Sequence, residues 1–74
     1  MLRPIKPEKL EKLLKKLGYK LIRQKGSHKI YKKGDKLIVI PFHKGKLIKK
    51  GLLRYIVSYL GLGVKEFFEL LEKI

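Results

Sequence analysis

The chain has no cysteine, so disulfides and thiolate metal sites are excluded. Tryptophan, asparagine, alanine and threonine are also missing, and Gln24 is the only glutamine. Scarce amides beside abundant lysine point to a thermophilic source. Acids are few: six Asp and Glu stand against 20 Lys and Arg, for a formal charge of +14. There are two histidines, His28 and His43. With no HxxxH or HExxH spacing and so few acids, no structural zinc is expected, nor any small-molecule cofactor. Long apolar runs are missing too. The longest, "LIVIPF" at 37–42, is too short to span a bilayer. The opening "MLRPIKPEKLEK" has no apolar core of signal-peptide length. A cytoplasmic protein without membrane contact is expected. At 74 residues, one domain spanning 1–74 is the sensible count. A chain this short buries only about 60% of its unfolded surface. Its core is small, with little room for a deep small-molecule cleft.

What is present is positive charge, and it is clustered. Residues 20–50 hold eleven basic residues and one acid, Asp35, a local net of +10. Residues 51–74 hold three of each sign and are neutral. A concentrated basic segment attracts polyanions by neutralising phosphates and releasing counterions. A merely lysine-rich surface would spread its charge more evenly.

Periodicity places the elements. Leu10, Leu13, Leu14 and Leu17 form one helical stripe, with Pro7 at the start and Gly18 at the stop. "YKLIRQ" (19–24) has strand character with imperfect alternation. "HKIYKK" (28–33) alternates His28, Ile30 and Lys32 against Lys29, Tyr31 and Lys33. A Gly-Asp link joins it to "KLIVIP" (36–41), a hairpin signal. That third strand is apolar on both faces, Leu37 and Val39 on one and Ile38 and Ile40 on the other. Helices cover one face; the other asks for a partner protein, a second copy or plain exposure. "FHKGKL" (42–47) reads as a loop. "IKKGLLRYIVSYLG" (48–61) reads as a second helix, with Leu52, Leu53, Ile56, Val57 and Leu60 at helical spacing and Gly61 as the stop. Val64, Phe67, Leu70, Leu71 and Ile74 mark the inner side of a short last helix, with the Phe67–Phe68 pair as core packing. The order is helix, three antiparallel strands, helix, short helix: a two-layer α+β sandwich.

Two places break local preference. Lys49 and Lys50 begin the second helix, where the backbone is already positive. Free N–H groups and two ammonium groups make a phosphate site, and Gly51 permits close approach; the alternative is a frayed end in water. His28 follows Gly26 and Ser27 at the start of a strand. An imidazole with an ordinary pKa of about 6.5 exchanges protons near neutrality. The lysines around it, Lys25, Lys29, Lys32 and Lys33, favour its neutral form, which a general base requires.

These residues together resemble the HicA family of toxin–antitoxin systems, small mRNA interferases. The likeness rests on the Gly-Ser-His turn at 26–28, Tyr31, the strand ending "VIPFH" at 39–43, the "HKGKLIKKGLL" run at 43–53 and the closing "LGLGVKEFFELL". The resemblance implies a fold similar to double-stranded-RNA-binding domains, α-β-β-β-α with a short extra C-terminal helix and a three-stranded antiparallel sheet. It implies metal-independent cleavage of mRNA with His28 as the catalytic group. It also implies a HicB-type antitoxin that covers the active surface. On this reading His28 is the base. Lys29, or the Lys49/Lys50 helix terminus, stabilises the phosphorane. Ser27 orients a partner, and Tyr31 packs or touches a sugar. His43 is carried over as a substrate contact, and either it or a lysine is left to protonate the leaving oxygen. Lys25, Gly26 and Lys44 complete the expected RNA-contacting set. The rival class is a double-stranded-RNA binder without chemistry, reading shape and phosphates.

Overall fold

The computed structural model describes residues 2–74. Helix α1 (Pro7–Lys16) opens on its proline, with Glu8 in the first turn and Lys15 and Lys16 in the last, each complementing the helix dipole. It stops where Gly18 turns to φ +99°. The Gly18 N–H then donates to the Lys15 carbonyl and the Tyr19 N–H to that of Leu14, the paired bonds of a Schellman cap. Helix α2 (Lys50–Tyr59) ends the same way. Gly61 at φ +74° donates to Ser58, and Leu62 donates to Val57. Helix α3 (Val64–Glu72) closes the chain.

Between α1 and α2 lie β1 (Lys20–Lys25), β2 (His28–Lys33) and β3 (Lys36–Pro41), one antiparallel sheet in the order β1-β2-β3. The expected α-β-β-β-α-α order is therefore the observed one. Two-residue turns, Gly26–Ser27 and Gly34–Asp35, join the strands. Each puts glycine first at φ near +60°, and no other residue type has positive φ among the described residues. That is the type II′ pattern, whose twist matches the flanking strands.

The core draws on every layer. Leu10, Leu13 and Leu14 of α1, Tyr31, Ile38 and Ile40 of the sheet, Leu53 and Ile56 of α2 and Phe67 of α3 are essentially inaccessible. The rings of Phe67 and Phe68 meet edge to face, as core packing requires. Three readings change. The first strand starts at Lys20, not Tyr19, because Tyr19 is buried ahead of it. Ile74 lies beyond α3 and is exposed, not inward. Ile48 does not open α2; it exchanges two backbone hydrogen bonds with Ile5. That bridge buries Leu2, Ile5 and Ile48, and Arg3 lies 4.1 Å over the Phe68 ring.

One polar contact ties α1 to the sheet. Glu11 accepts a hydrogen bond from the Tyr31 hydroxyl and pairs with the Lys29 ammonium at 3.4 Å. It is the only ion pair among the described residues. Burial works to raise the Glu11 carboxyl, but the Tyr31 hydrogen bond and the Lys29 charge outweigh it and hold the carboxyl below its ordinary value. Burial, then the Glu11 contact, pushes the Tyr31 phenol far up. Lys33 reinforces the same interface, donating to the Leu17 carbonyl at 2.7 Å.

A carboxyl lowered on folding stabilises the fold above its unfolded value of about 4.3. That contribution is lost as pH falls through the lower folded value. Glu11→Gln is expected to cost about 1.5–3 kcal/mol near neutrality, the range for a hydrogen bond to a charged group. Urea titrations of both proteins should show that difference constant from pH 5 upward and shrinking below pH of about 4.

Candidate active site

Strand alternation sorts the sheet into two faces. Tyr31 and Ile38 pair across β2 and β3, as do Lys29 and Ile40. These face the helices. The intervening residues face outward in three rows, set by the register. Lys25, His28 and Pro41 form the first row; Arg23, Ile30 and Val39 the second; Lys20, Lys32 and Leu37 the third. The β1 column is wholly cationic and the β3 column wholly apolar. Leu37 and Val39 are about half exposed.

A β-bulge creates the cationic column. The register shifts between Leu21 and Arg23, leaving Ile22 unpaired and 54% exposed. Without that extra residue Arg23 and Lys25 would share the inner face with Leu21. With it they join Lys20 outside. This accounts for the imperfect alternation of the sequence. It also hid Arg23 and Lys20 from sequence reasoning, although Lys32 was legible on the His28 face, four residues on.

The same rules bring the two histidines together. His28 and Pro41 are opposed, and the Phe42 N–H donates to the Ser27 carbonyl at 2.6 Å, one rung further on. Pro41 therefore sits at a position whose amide would face the sheet edge, where a missing N–H costs nothing. His43, two residues beyond Pro41, returns to the outer face. A turn closed by the Lys46 N–H on the His43 carbonyl at 2.9 Å, with Gly45 at φ +73°, fits the type II pattern. The imidazoles of His28 and His43 meet edge to face with centroids 6.0 Å apart. Both are exposed. Beyond His43 a groove of about 690 Å³ runs between the 42–47 loop and the start of α1.

The other expected site residues divide. Lys25 is the cross-strand neighbour of His28, and Gly26 and Ser27 form its turn. Lys44 lines the groove. Lys49 and Lys50 are exposed at the α2 start, where no side chain caps the helix and no acid lies in the first turn. The geometry narrows two expectations. Tyr31 is fully buried and bonded to Glu11, which agrees with packing, the favoured of its two expected roles. Lys29 is turned to the helix side, where it is held by Glu11 and lies 4.1 Å over the Phe42 ring. It is a scaffold residue, and the cations on the His28 face are Lys25, Arg23, Lys20 and Lys32.

Among the described residues no group of three or more His, Cys, Asp or Glu gathers as metal ligands, and no helix is long and apolar enough to cross a membrane. The sequence model of the HicA toxin of bacterial toxin–antitoxin systems matches residues 7–62. That span runs from the first residue of α1 to the end of the α2 cap and includes both histidines. No match was found among curated proteins.

Two glycines of this surface should respond oppositely to alanine. Neither has an atom within 4 Å of an added Cβ, so only backbone matters. Gly26 at φ +60° is expected to lose about 1–2 kcal/mol as alanine. Gly51, helical and without positive φ, is expected to gain about 0.4–1 kcal/mol. Chemical denaturation of the two variants measures both.

Proposed function

The chain belongs to the HicA toxin family of bacterial toxin–antitoxin systems, and from that premise we propose that it is a metal-independent endoribonuclease acting on mRNA. One observation carries the reading: the only two imidazoles of the chain face each other on an open surface beside a cationic column. Membership implies an antitoxin partner. A HicB-type protein is proposed, seated on this same outer face.

RNA supplies its own nucleophile, the ribose 2′-OH. Neutral His28 removes that proton as the 2′-oxygen attacks phosphorus. A P–O2′ bond forms and the P–O5′ bond breaks. Protonated His43 delivers a proton to the departing 5′-oxygen. The products are a 2′,3′-cyclic phosphate and a 5′-hydroxyl, and the two histidines finish with exchanged protonation. Lys25 stands next to His28 across the strands, where its ammonium offsets phosphorane charge. Arg23, Lys20 and Lys32 carry the phosphates of the flanking strand. Ser27 and Gly26 hold the turn that aims His28. Lys49 and Lys50, two and three residues beyond Leu47 of the groove, extend the phosphate track.

The test uses purified protein in chelator with an RNA and its all-deoxy analogue. Cutting of the RNA alone, to cyclic-phosphate ends, is expected. Equal cutting of both strands, or none of either, overturns the reading; a double-stranded-RNA binder without chemistry gives the second result. His28→Ala should lower kcat by about 10²–10⁴-fold while leaving salt-dependent RNA affinity nearly unchanged.

A concerted pair also predicts a bell-shaped pH–rate profile. The acid limb reports the base losing its proton, and the alkaline limb reports the acid losing its own. His43→Gln should flatten the alkaline limb and keep the acid one. A histidine that only binds substrate would change KM and leave both limbs in place.

A further inference from the structure

The groove beside His43 is lined by Lys6, Pro7, Glu8, Phe42 and residues 43–47, but not by His28. The site is therefore asymmetric: one histidine belongs to a concave wall and the other to an open sheet. That asymmetry has a chemical direction. In an in-line displacement the attacking 2′-oxygen and the leaving 5′-oxygen lie on opposite sides of phosphorus. The group that receives the 2′ proton therefore stands on the upstream side. The group that protonates the 5′-oxygen stands on the downstream side.

We propose that this groove is the subsite for the nucleoside on the leaving side of the cut, whose 5′-oxygen is released. The inference rests on the assignment of His28 as base and His43 as acid. Its volume, about 690 Å³, lies within the range of small-ligand sites. Its walls suit a nucleotide. Phe42 and Leu47 offer apolar surface to a base, and Leu47 is half exposed. Lys44 and Lys46 lie in the turn that His43 begins, placed to meet the phosphate that follows the leaving nucleoside.

Glu8 is the one acid in this wall. It is exposed, and the single ion pair among the described residues, Lys29–Glu11, does not involve it. A carboxylate accepts hydrogen bonds and donates none. It therefore favours guanine, adenine or cytosine, whose amino groups donate freely, over uracil, whose single N3–H lies between two carbonyl acceptors that repel a carboxylate. The upstream nucleotides lie instead over the open sheet, along Lys25, Arg23 and Lys20. That half has phosphate contacts and no comparable wall, so it reads little sequence.

The test is a 2′-O-methyl oligonucleotide with one ribonucleotide, so that a single bond is cleavable. Single abasic positions are introduced immediately downstream or upstream of that bond. For the unmodified protein, loss of the downstream base should lower kcat/KM about tenfold or more, as loss of a stacked base does. Loss of the upstream base should have a smaller effect. Lys46→Ala and Glu8→Gln are exposed changes. Each should reduce the downstream penalty, and Glu8→Gln should also level the preference among downstream bases. The inference is overturned if both variants keep the full downstream penalty, or if the upstream base carries the larger one, which reverses the polarity. If the unmodified protein leaves the ribonucleotide bond intact, the nuclease reading fails and this inference fails with it.

Discussion

The Glu11 carboxylate, between α1 and the sheet, accepts the Tyr31 hydroxyl and holds the Lys29 ammonium. Both partners lie on β2, two residues apart, on one face. A strand has period two, so anchoring positions 29 and 31 inward sends 28, 30 and 32 outward. A slip of one residue would bury His28 and expose Tyr31 with its phenol unpaired. That penalty is a desolvated polar group plus a large lost aromatic contact. Glu11 thus acts on the site without touching it. It fixes the face on which His28 appears, and the Tyr31–Ile38 and Leu21–Tyr31 pairs carry the same register to both neighbouring strands.

The outer face that results has cations along β1 and aliphatics along β3, with the histidine row at one end. The first column suits a polyanion and the second a hydrophobic partner. Neither column is wide enough for two large occupants side by side in a molecule about 30 Å across. RNA and an antitoxin seated here would therefore compete. Occupancy of this face would also affect folding. A charge of +14 on so small a body repels itself, and any anionic occupant that binds only the folded state stabilises it.

Much of this was legible in the sequence, because strong local signals and tertiary demands agree. Pro7 and Gly18 bracket α1, Gly34–Asp35 marks a hairpin, and Gly61 stops α2. The alternation of 28–33 placed Ile30 and Lys32 with His28. What escaped depends on partners remote in the chain. The bulge at Ile22 shows only against the register of β2. Ile5 and Ile48 look like a stray aliphatic and a helix residue until they meet across 43 positions. Alternation already set Lys29 on the face opposite His28, but only Glu11, 18 residues earlier, shows what holds it there. The nearness of His43 to His28 likewise needs the last rung of the β2–β3 ladder, which no periodicity announces.

That last rung also explains how a protein of this size holds a reactive geometry. A larger enzyme locks its catalytic side chains with packed neighbours and a second layer of hydrogen bonds. Here both histidines are exposed, and among the described residues no hydrogen bond holds either side chain. The order comes from the backbone. His28 is the first residue after a tight glycine turn, and His43 begins another turn. The Phe42 N–H to Ser27 carbonyl bond joins the two turns directly. The imidazoles keep rotamer freedom, while the Cα positions that carry them are fixed by the ladder. On the proposed function such a site would lose little by being open in the free protein, because a bound strand would supply the missing walls and select the productive rotamers. The groove beside His43 is the exception, a wall already present, and in that scheme it stands on the leaving-group side.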